Sequence, residues 1–415
     1  MNGTMNPNLM TPTERRASGT LASIFALRML GMFLVLPVFA IEAARYPGGT
    51  DASLVGLTMG LYGLTQAALQ LPFGLASDRL GRKRVIVAGL LVFALGSFVA
   101  GAADSLQGLM IGRALQGAGA VSAAVTALLA DLTRDSVRTK SMALVGASIG
   151  LMFALSLVAA PLLNSLIGLP GLFVLTGILA LIGIVVVIWA VPPEPTKHAD
   201  IPRGGLGQVL RDPALVRMNV GVFILHAVQM AMWLALPAML VEAGIAQEHH
   251  WWVYLPAVLA SFVVMGMTLF PLEKRGYLRA VFLVAIGTVA LVQLGLLGVA
   301  SSLAQSAPGL RLMCLSALLF LFFCGFNVLE ASQPSLVSKL SPAHAKGAAM
   351  GVYNTLMSFG LFAGGAAGGL VLKAYGVTGL FLTGTVLMGL WLVVAWPMRQ
   401  PVTAVAPSSP EQVAA

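Results

Sequence analysis

Gly74-Leu-Ala-Ser-Asp78-Arg79-Leu-Gly81-Arg82-Lys83-Arg84 separates two long apolar runs, residues 53–77 and 85–103. Four cations and an acid do not rest in hydrocarbon, where a charge at the centre of a spanning helix costs about 2.5–3.5 kcal/mol. The stretch therefore reads as a tight aqueous turn between two membrane spans, with Gly81 letting the turn close.

The whole composition agrees. Of 415 residues, 58% are hydrophobic and 9% charged, with a mean hydropathy of +0.91, against roughly 25% charged in soluble domains. A water-soluble multidomain protein is excluded. The apolar runs are about 20 residues long and do not alternate, so they span as helices and not as barrel strands. A net charge of +9 would suggest nucleic acid in a soluble chain, but here the distribution explains it. Among the 24 Lys and Arg, Arg45, Arg311 and Lys373 fall on one set of loops and Arg28 and Arg113 inside spans. All the others fall on the opposite set, with the termini. That bias predicts cytoplasmic termini and no nucleic-acid partner. Cys314 and Cys324 share one span and are too far apart along it to pair. The first apolar run exceeds a signal-peptide core and contains Arg28 and Pro37, so it is read as an uncleaved span.

Twelve spans are predicted near 18–44, 53–77, 84–103, 107–131, 141–165, 168–192, 215–243, 251–272, 280–303, 310–338, 347–372 and 378–398. The organisation expected is a cytoplasmic tail over 1–17, six-helix bundles over 18–192 and 214–398, and a cytoplasmic linker over 193–213. A Pro/Ser/Ala-rich tail over 399–415 is expected to be disordered. The halves repeat weakly: Asp78-Arg79-x-Gly81-x-x-Arg84 returns as Glu273-Lys274-x-Gly276-x-x-Arg279. The fold class predicted is all-α integral membrane, twelve transmembrane helices in two pseudo-symmetric six-helix bundles.

The pattern G-x-x-x-D-R-x-G-R-K over residues 74–83 resembles the loop between helices 2 and 3 of the major facilitator superfamily. Arg113-Ala-Leu-Gln116-Gly117 resembles that family's R-x-x-Q-G motif on helix 4, where the arginine is linked to proton transfer. Arg28-Met-Leu-Gly31-Met-Phe-Leu-Val-Leu-Pro37-Val38 resembles the first helix of YajR-type transporters. Span 5 departs from drug–proton antiporters: counted back from Pro161, their glycines are replaced by Ala160, Ser156 and Ala147. The resemblance covers all twelve spans. It implies the major facilitator fold with a midplane substrate site between the bundles, and a monomeric, multi-pass transporter of a bacterial inner membrane. It implies no enzymatic activity and no cofactor, the proton gradient being the energy source. The partners implied are a small-molecule substrate, protons and the lipid bilayer. Some relatives carry an added soluble C-terminal domain, for which this sequence is expected to be too short.

Four residues able to carry charge lie deep in spans, one each on spans 1, 4, 7 and 10: Arg28, Arg113, His226 and Glu330. In the implied fold those helices line the central cavity. Glu330 is the one carboxylate deep in the membrane. It reads either as a proton carrier or as a fixed ion pair with Arg28 or Arg113. His226 suits a proton relay or simple hydrogen bonding. Arg28 is either a counter-charge for Glu330 or an anchor for an anionic substrate group. Arg113 is a fixed cation that tunes a titrating neighbour, or a packing element. Thr58, Tyr62, Gln66 and Gln70 form a stripe at spacing four that contacts substrate or the opposing half. Gln116, Asn219, Gln229, Asn327, Tyr353 and Asn354 complete the cavity candidates. Gly56-x-x-x-Gly60, Gly347-x-x-x-Gly351 and Gly360-x-x-x-Gly364 read as seams for close helix contact between spans 2 and 11.

A latch is also expected. Asp78 should meet the positive start of helix 11, residues 346–348, while Arg82 or Arg79 is held by Asp131. The outward-facing state would keep that contact and the inward-facing state break it. The function expected is proton-coupled efflux of small amphipathic molecules. The alternatives are uptake or facilitated diffusion of a polar metabolite, or a non-transporting receptor or assembly protein. No G-x-x-x-x-G-K-S/T loop is present to hold phosphates. His249-His250-Trp251-Trp252 reads as an interfacial aromatic belt and not as a metal site.

Overall fold

The computed structural model describes residues 9–194, 206–303, 306–342 and 345–398. The tail at 399–415 and most of the predicted linker, residues 195–205, lie outside the described residues, as does 1–8 of the N-terminal tail. Ten helical runs in the described chain are long and apolar enough to cross a membrane.

The first run is α1 (Pro12–Phe33) followed by α2 (Leu36–Ala43). It starts earlier than predicted, so Glu14, Arg15 and Arg16 are helical and not part of a polar tail. The cause is local. Thr11 and Glu14 form a reciprocal capping box and Pro12 opens the helix. Next come α3 (Ala52–Leu80), α4 (Arg82–Gly101), α5 (Leu106–Ala118) and α6 (Ser122–Asp131). One residue joins α3 to α4: Gly81, at φ 97°, a conformation that costs an L side chain strain.

The following helix, α7 (Asp135–Val185), is 51 residues long and broken at Gly168 (φ 65°, ψ 177°). Its contacts with the first run show that it doubles back. Near its start, Ser141 Oγ accepts from Ser18 at 2.8 Å. Just past its end, the carbonyls of Trp189 and Ala190 accept from Arg16 at 3.3 and 2.9 Å. Its middle lies at the other end of the first run, where Asn164 donates to Glu42 at 2.8 Å.

A short α8 (Leu206–Arg211) precedes α9 (Pro213–Glu242), α10 (Trp251–Lys274), α11 (Leu278–Ser301) and α12 (Pro308–Leu340). The last helix, α13 (Lys346–Ala395), is 50 residues long and reverses at Gly376 (φ 65°). Lys373 reaches Asp51 at 2.6 Å, while the Trp396 carbonyl, just past its C-terminus, accepts from Arg279 at 2.7 Å. With both reversals, the ten runs give twelve membrane-length arms among the described residues.

Two ends can be told apart. Gly81, Arg134 and Trp396 mark the basic end; Glu42, Asp51, Lys373 and His250 mark the far end. One buried core runs the length of the C-terminal half, from Leu215 and Met398 to Trp233 and Tyr254, and takes in far-end residues of the N-terminal half, including Leu36, Phe39, Phe153 and Phe173. A second core, with Leu21, Phe25, Ile86, Phe93 and Leu128, belongs to the N-terminal half alone and lies toward the basic end. The halves are therefore fused at the far end and part toward the basic end.

The junction is close to backbone on backbone. A Cβ added to Gly56 would sit 2.2 Å from the Gly365 carbonyl, and one on Gly369 would sit 2.5 Å from the Ala52 carbonyl. Without a hydrophobic drive between helices in lipid, such close packing is what holds them. The glycines of α13 that face α3 are Gly365 and Gly369, not the predicted Gly360 and Gly364. The latter pair abuts α9, at the Phe223 and Ala227 carbonyls. One residue turns a helix by about 100°, so the two pairs serve different neighbours. Gly347 meets nothing within 4 Å and belongs to no seam.

Candidate functional site

The deep ionisable residues form two separate groups. In the N-terminal half, Arg28 on α1 donates to Ser122 Oγ and Tyr62 Oη, both at 2.8 Å, and to Gln66 Oε1 at 3.2 Å. Arg113 on α5 lies over the face of the same Tyr62, 4.9 Å from the ring centroid. It donates to Gln116 Oε1 at 3.0 Å and to the Met59 carbonyl at 3.4 Å. Both arginines are 1% exposed, and no carboxylate is among these partners. Gln116 also donates to Ser97 on α4 at 2.9 Å, which turns it into the bundle and away from the space between the halves. The α3 stripe thus serves its own half: Tyr62 and Gln66 hold Arg28, Thr58 bonds the Leu54 carbonyl, and Gln70 is buried with its Oε1 unpartnered.

In the C-terminal half, His226 Nε2 on α9 lies 3.3 Å from Glu330 Oε1 on α12. The fixed ion pair of Glu330 with Arg28 or Arg113, one of the two readings left open, is not what the fold makes. The arginines are occupied within the other half, and the packing of α9 against α12 supplies the histidine instead. The oxygen is at ion-pair distance but off the line of a full hydrogen bond. His226 Nδ1 lies 2.9 Å from the Val222 carbonyl, which only accepts, so Nδ1 carries its hydrogen. A neutral ring then points the Nε2 lone pair at Glu330.

Around this pair, Tyr353 donates to Gln333 Oε1 at 3.3 Å, and Glu330 keeps a third of its side chain exposed. Asn219 and Gln229 are buried on α9, and Asn354 is half-buried. Asn327 turns away and donates to Ser261 on α10 at 2.8 Å. An aromatic bridge that gives no motif in the sequence crosses between the halves. Phe33 meets Phe153 at 5.0 Å between centroids, Phe153 meets Phe326 at 6.0 Å, and Phe326 meets the His226 ring at 6.3 Å. Apolar rings therefore stand beside the His226–Glu330 pair.

At the basic end, Arg82 and not Arg79 meets Asp131, at 3.1 Å. Arg82 also donates to Ser77 Oγ at 2.7 Å and pairs with Asp78, while Arg79 is exposed. Asp78 is thus engaged within its own loop, its side chain 40% exposed, and does not join the start of α13. Gly81 makes the turn as its spacing predicts. One partner was invisible in the sequence. Glu194 accepts from the backbone N–H groups of Arg82 at 3.0 Å and Lys83 at 2.6 Å, capping a helix that has no side-chain cap of its own. Of the aromatic belt, Trp252 is exposed, but His250 is fully buried.

The far end carries its own ion pair between halves, Asp51 with Lys373. Asp51 also caps α3 through the Ser53 N–H. The Lys373 ammonium, and then Ser53, push its carboxyl down from 3.8 to about 2. A carboxylate with a depressed pKa stabilises the paired state above its free pKa and loses that contribution as pH falls through the paired one. The pair should therefore be insensitive to pH above 3.8 and weaken only toward about 2. Far-end closure, followed by spin-label distances, should show no step near neutral pH from Asp51. A neutral-pH step abolished by Asp51→Asn would contradict this.

The description Major Facilitator Superfamily fits residues 21–365 of the chain. The chain is 42% identical to the inner membrane transport protein YajR of Escherichia coli (strain K12), over 96% of its own length and 86% of that protein's. It is 28% identical to the multidrug resistance protein MdtH of Cronobacter sakazakii (strain ATCC BAA-894), over 88% and 91% of the two chains. Its fold matches an auto-inhibited POT family peptide transporter with a TM-score of 0.70 at 13% identity, covering 95% of this chain and 99% of that one. Twelve arms in two halves around a divided set of buried charges are thus accounted for, and the chain belongs to the Major Facilitator Superfamily, a family of membrane transport proteins and not of enzymes.

Proposed function

We propose that this transporter exchanges protons for small amphipathic molecules and exports the latter by alternating access. The observation that carries the reading is the His226–Glu330 contact. With Nδ1 committed to the Val222 carbonyl, Nε2 is the ring atom that faces Glu330, and in this reading the two share a proton in the conformation seen. Separation of the pair, or arrival of substrate beside Glu330, would release that proton. The phenyl groups next to His226 suit an amphipathic passenger, and relatives named as multidrug resistance proteins point the same way. The buried arginines keep the N-terminal half polar and rigid.

In this reading the basic end is cytoplasmic and the conformation seen is open on that side. The Asp78 latch to the start of α13 then closes only in the opposite state, when the far-end seam between α3 and α13 parts.

Proton movement in inside-out vesicles, wild type beside Glu330→Gln, tests this across cationic, neutral and anionic amphiphiles. Substrate-triggered proton efflux should appear in the wild type and vanish in the variant. Substrate flux persisting in both without a proton signal would return Glu330 to a structural role.

A further inference from the structure

Beside the basic end of the N-terminal half lies a cavity of about 520 Å³, away from the ionisable pair, lined by Thr13, Arg16, Lys83, Ile188, Trp189 and Val191 among others. We propose that it holds the phosphate headgroup of an anionic membrane lipid.

Three observations carry this. First, the cavity has two cations on different helices, each with donors to spare. Arg16 spends its Nε and one Nη on the Ala190 and Trp189 carbonyls, out of five N–H donors. Lys83 spends one of three, on the Val191 carbonyl at 2.6 Å. Second, the carbonyls that hold Arg16 belong to a single π-helical turn, Val186–Ala190, just past the second arm of α7, and the one that holds Lys83 belongs to Val191, the extended residue that ends the turn. The wide turn and its terminating residue thus present consecutive carbonyls to the two cations and fix both at the cavity wall. Third, the rim is built for a bilayer surface. Trp189 is 78% exposed and Ile188 54% exposed, an indole at headgroup level beside an aliphatic side chain. A phosphate oxygen takes the free N–H donors and the Thr13 hydroxyl, while acyl chains run down over Ile188.

Glu194 is the acidic neighbour, and its single negative charge is set against the two cations of the cavity. Both of its oxygens already accept from the Arg82 and Lys83 backbone. That contact also gives the site a consequence. Lys83 is part of the same turn as Asp78, Gly81 and Arg82, so a lipid phosphate on Lys83 braces the loop expected to latch the transport cycle.

The test is native mass spectrometry of the full-length protein, purified with phosphatidylglycerol, with phosphatidylcholine, or with inorganic phosphate added. A cation near a membrane surface is worth about fivefold in anionic-lipid binding. Phosphatidylglycerol retention should therefore fall about fivefold in Arg16→Gln and about thirtyfold with Lys83→Gln added. It should be unchanged in Arg16→Lys/Lys83→Arg and in Arg211→Gln, a basic-end control outside the cavity. Arg16 is exposed, so its single variant keeps the test open should the double variant fail to fold. The proposal is overturned by equal retention in Arg16→Gln, by an equal loss in Arg211→Gln, or by phosphatidylcholine binding as well. Displacement of phosphatidylglycerol by inorganic phosphate at equal concentration would also overturn it, making this a site for the free anion.

Discussion

Gly365→Val should yield a folded, inserted protein that cannot close its far end, whereas Gly364→Val, one residue away, should not yield a folded carrier. A Cβ at 365 would lie 2.5 Å from the Gly56 carbonyl and 2.8 Å from the Gly60 backbone, across the junction between the halves. Those halves separate during transport, so the clash is relieved by moving them apart. A Cβ at 364 would lie 2.1 Å from the Ala227 carbonyl of α9, inside the C-terminal half. No motion of the cycle relieves that one. Overpacking typically costs about 1–3 kcal/mol, enough to move a two-state conformational equilibrium by roughly 5- to 150-fold. Spin labels at positions 104 and 248, both exposed at the far end, should report a longer distance in Gly365→Val, with transport lost in proportion. Gly364→Val should appear as a drop in folded yield and melting temperature. A closed far end with normal transport in Gly365→Val would show that the seam is not a moving surface.

The second large effect is expected at the ionisable pair. Glu330→Gln and His226→Gln should each lower proton-coupled transport by about 100-fold, the lower end of what a positioned acid–base group contributes. The double variant should be no worse than either single one. The reason is the shared proton: once one partner is gone, the other has no close contact in which to bind it, and its removal costs nothing more. The measurement is a double-mutant cycle on substrate-driven proton efflux, with substrate flux recorded in parallel. Independent, multiplying losses would mean that the two residues act at separate steps and that the 3.3 Å contact is incidental.

The turn at Gly81 and the division of the two-armed runs into spans 141–165 and 168–192, and 347–372 and 378–398, were legible in the sequence, because each follows from local cost; that Gly168 and Gly376 make the breaks came from the structure. A charge in hydrocarbon or a left-handed residue without glycine is penalised wherever the rest of the chain lies. The start of α1 was missed: Thr11, Pro12 and Glu14 carry a capping box, but the polar composition of the segment masked it. Membership of the transporter family follows from the same local motifs.

What only the tertiary structure decided is who meets whom. Hydropathy put Glu330, His226, Arg28 and Arg113 inside the membrane and left their pairing open. The pairing turned on which helices pack together and how each is rotated about its own axis. The same rotation separates Gly365 from Gly364, sends Gln116 and Asn327 into their own bundles, and lets Tyr62 sit between two arginines. Glu194 caps α4 from more than a hundred residues away in sequence, and nothing near either partner announces it. Local sequence fixes the cost of placing a residue in the bilayer; a long-range partner is set by how complete helices pack, a property of the whole chain.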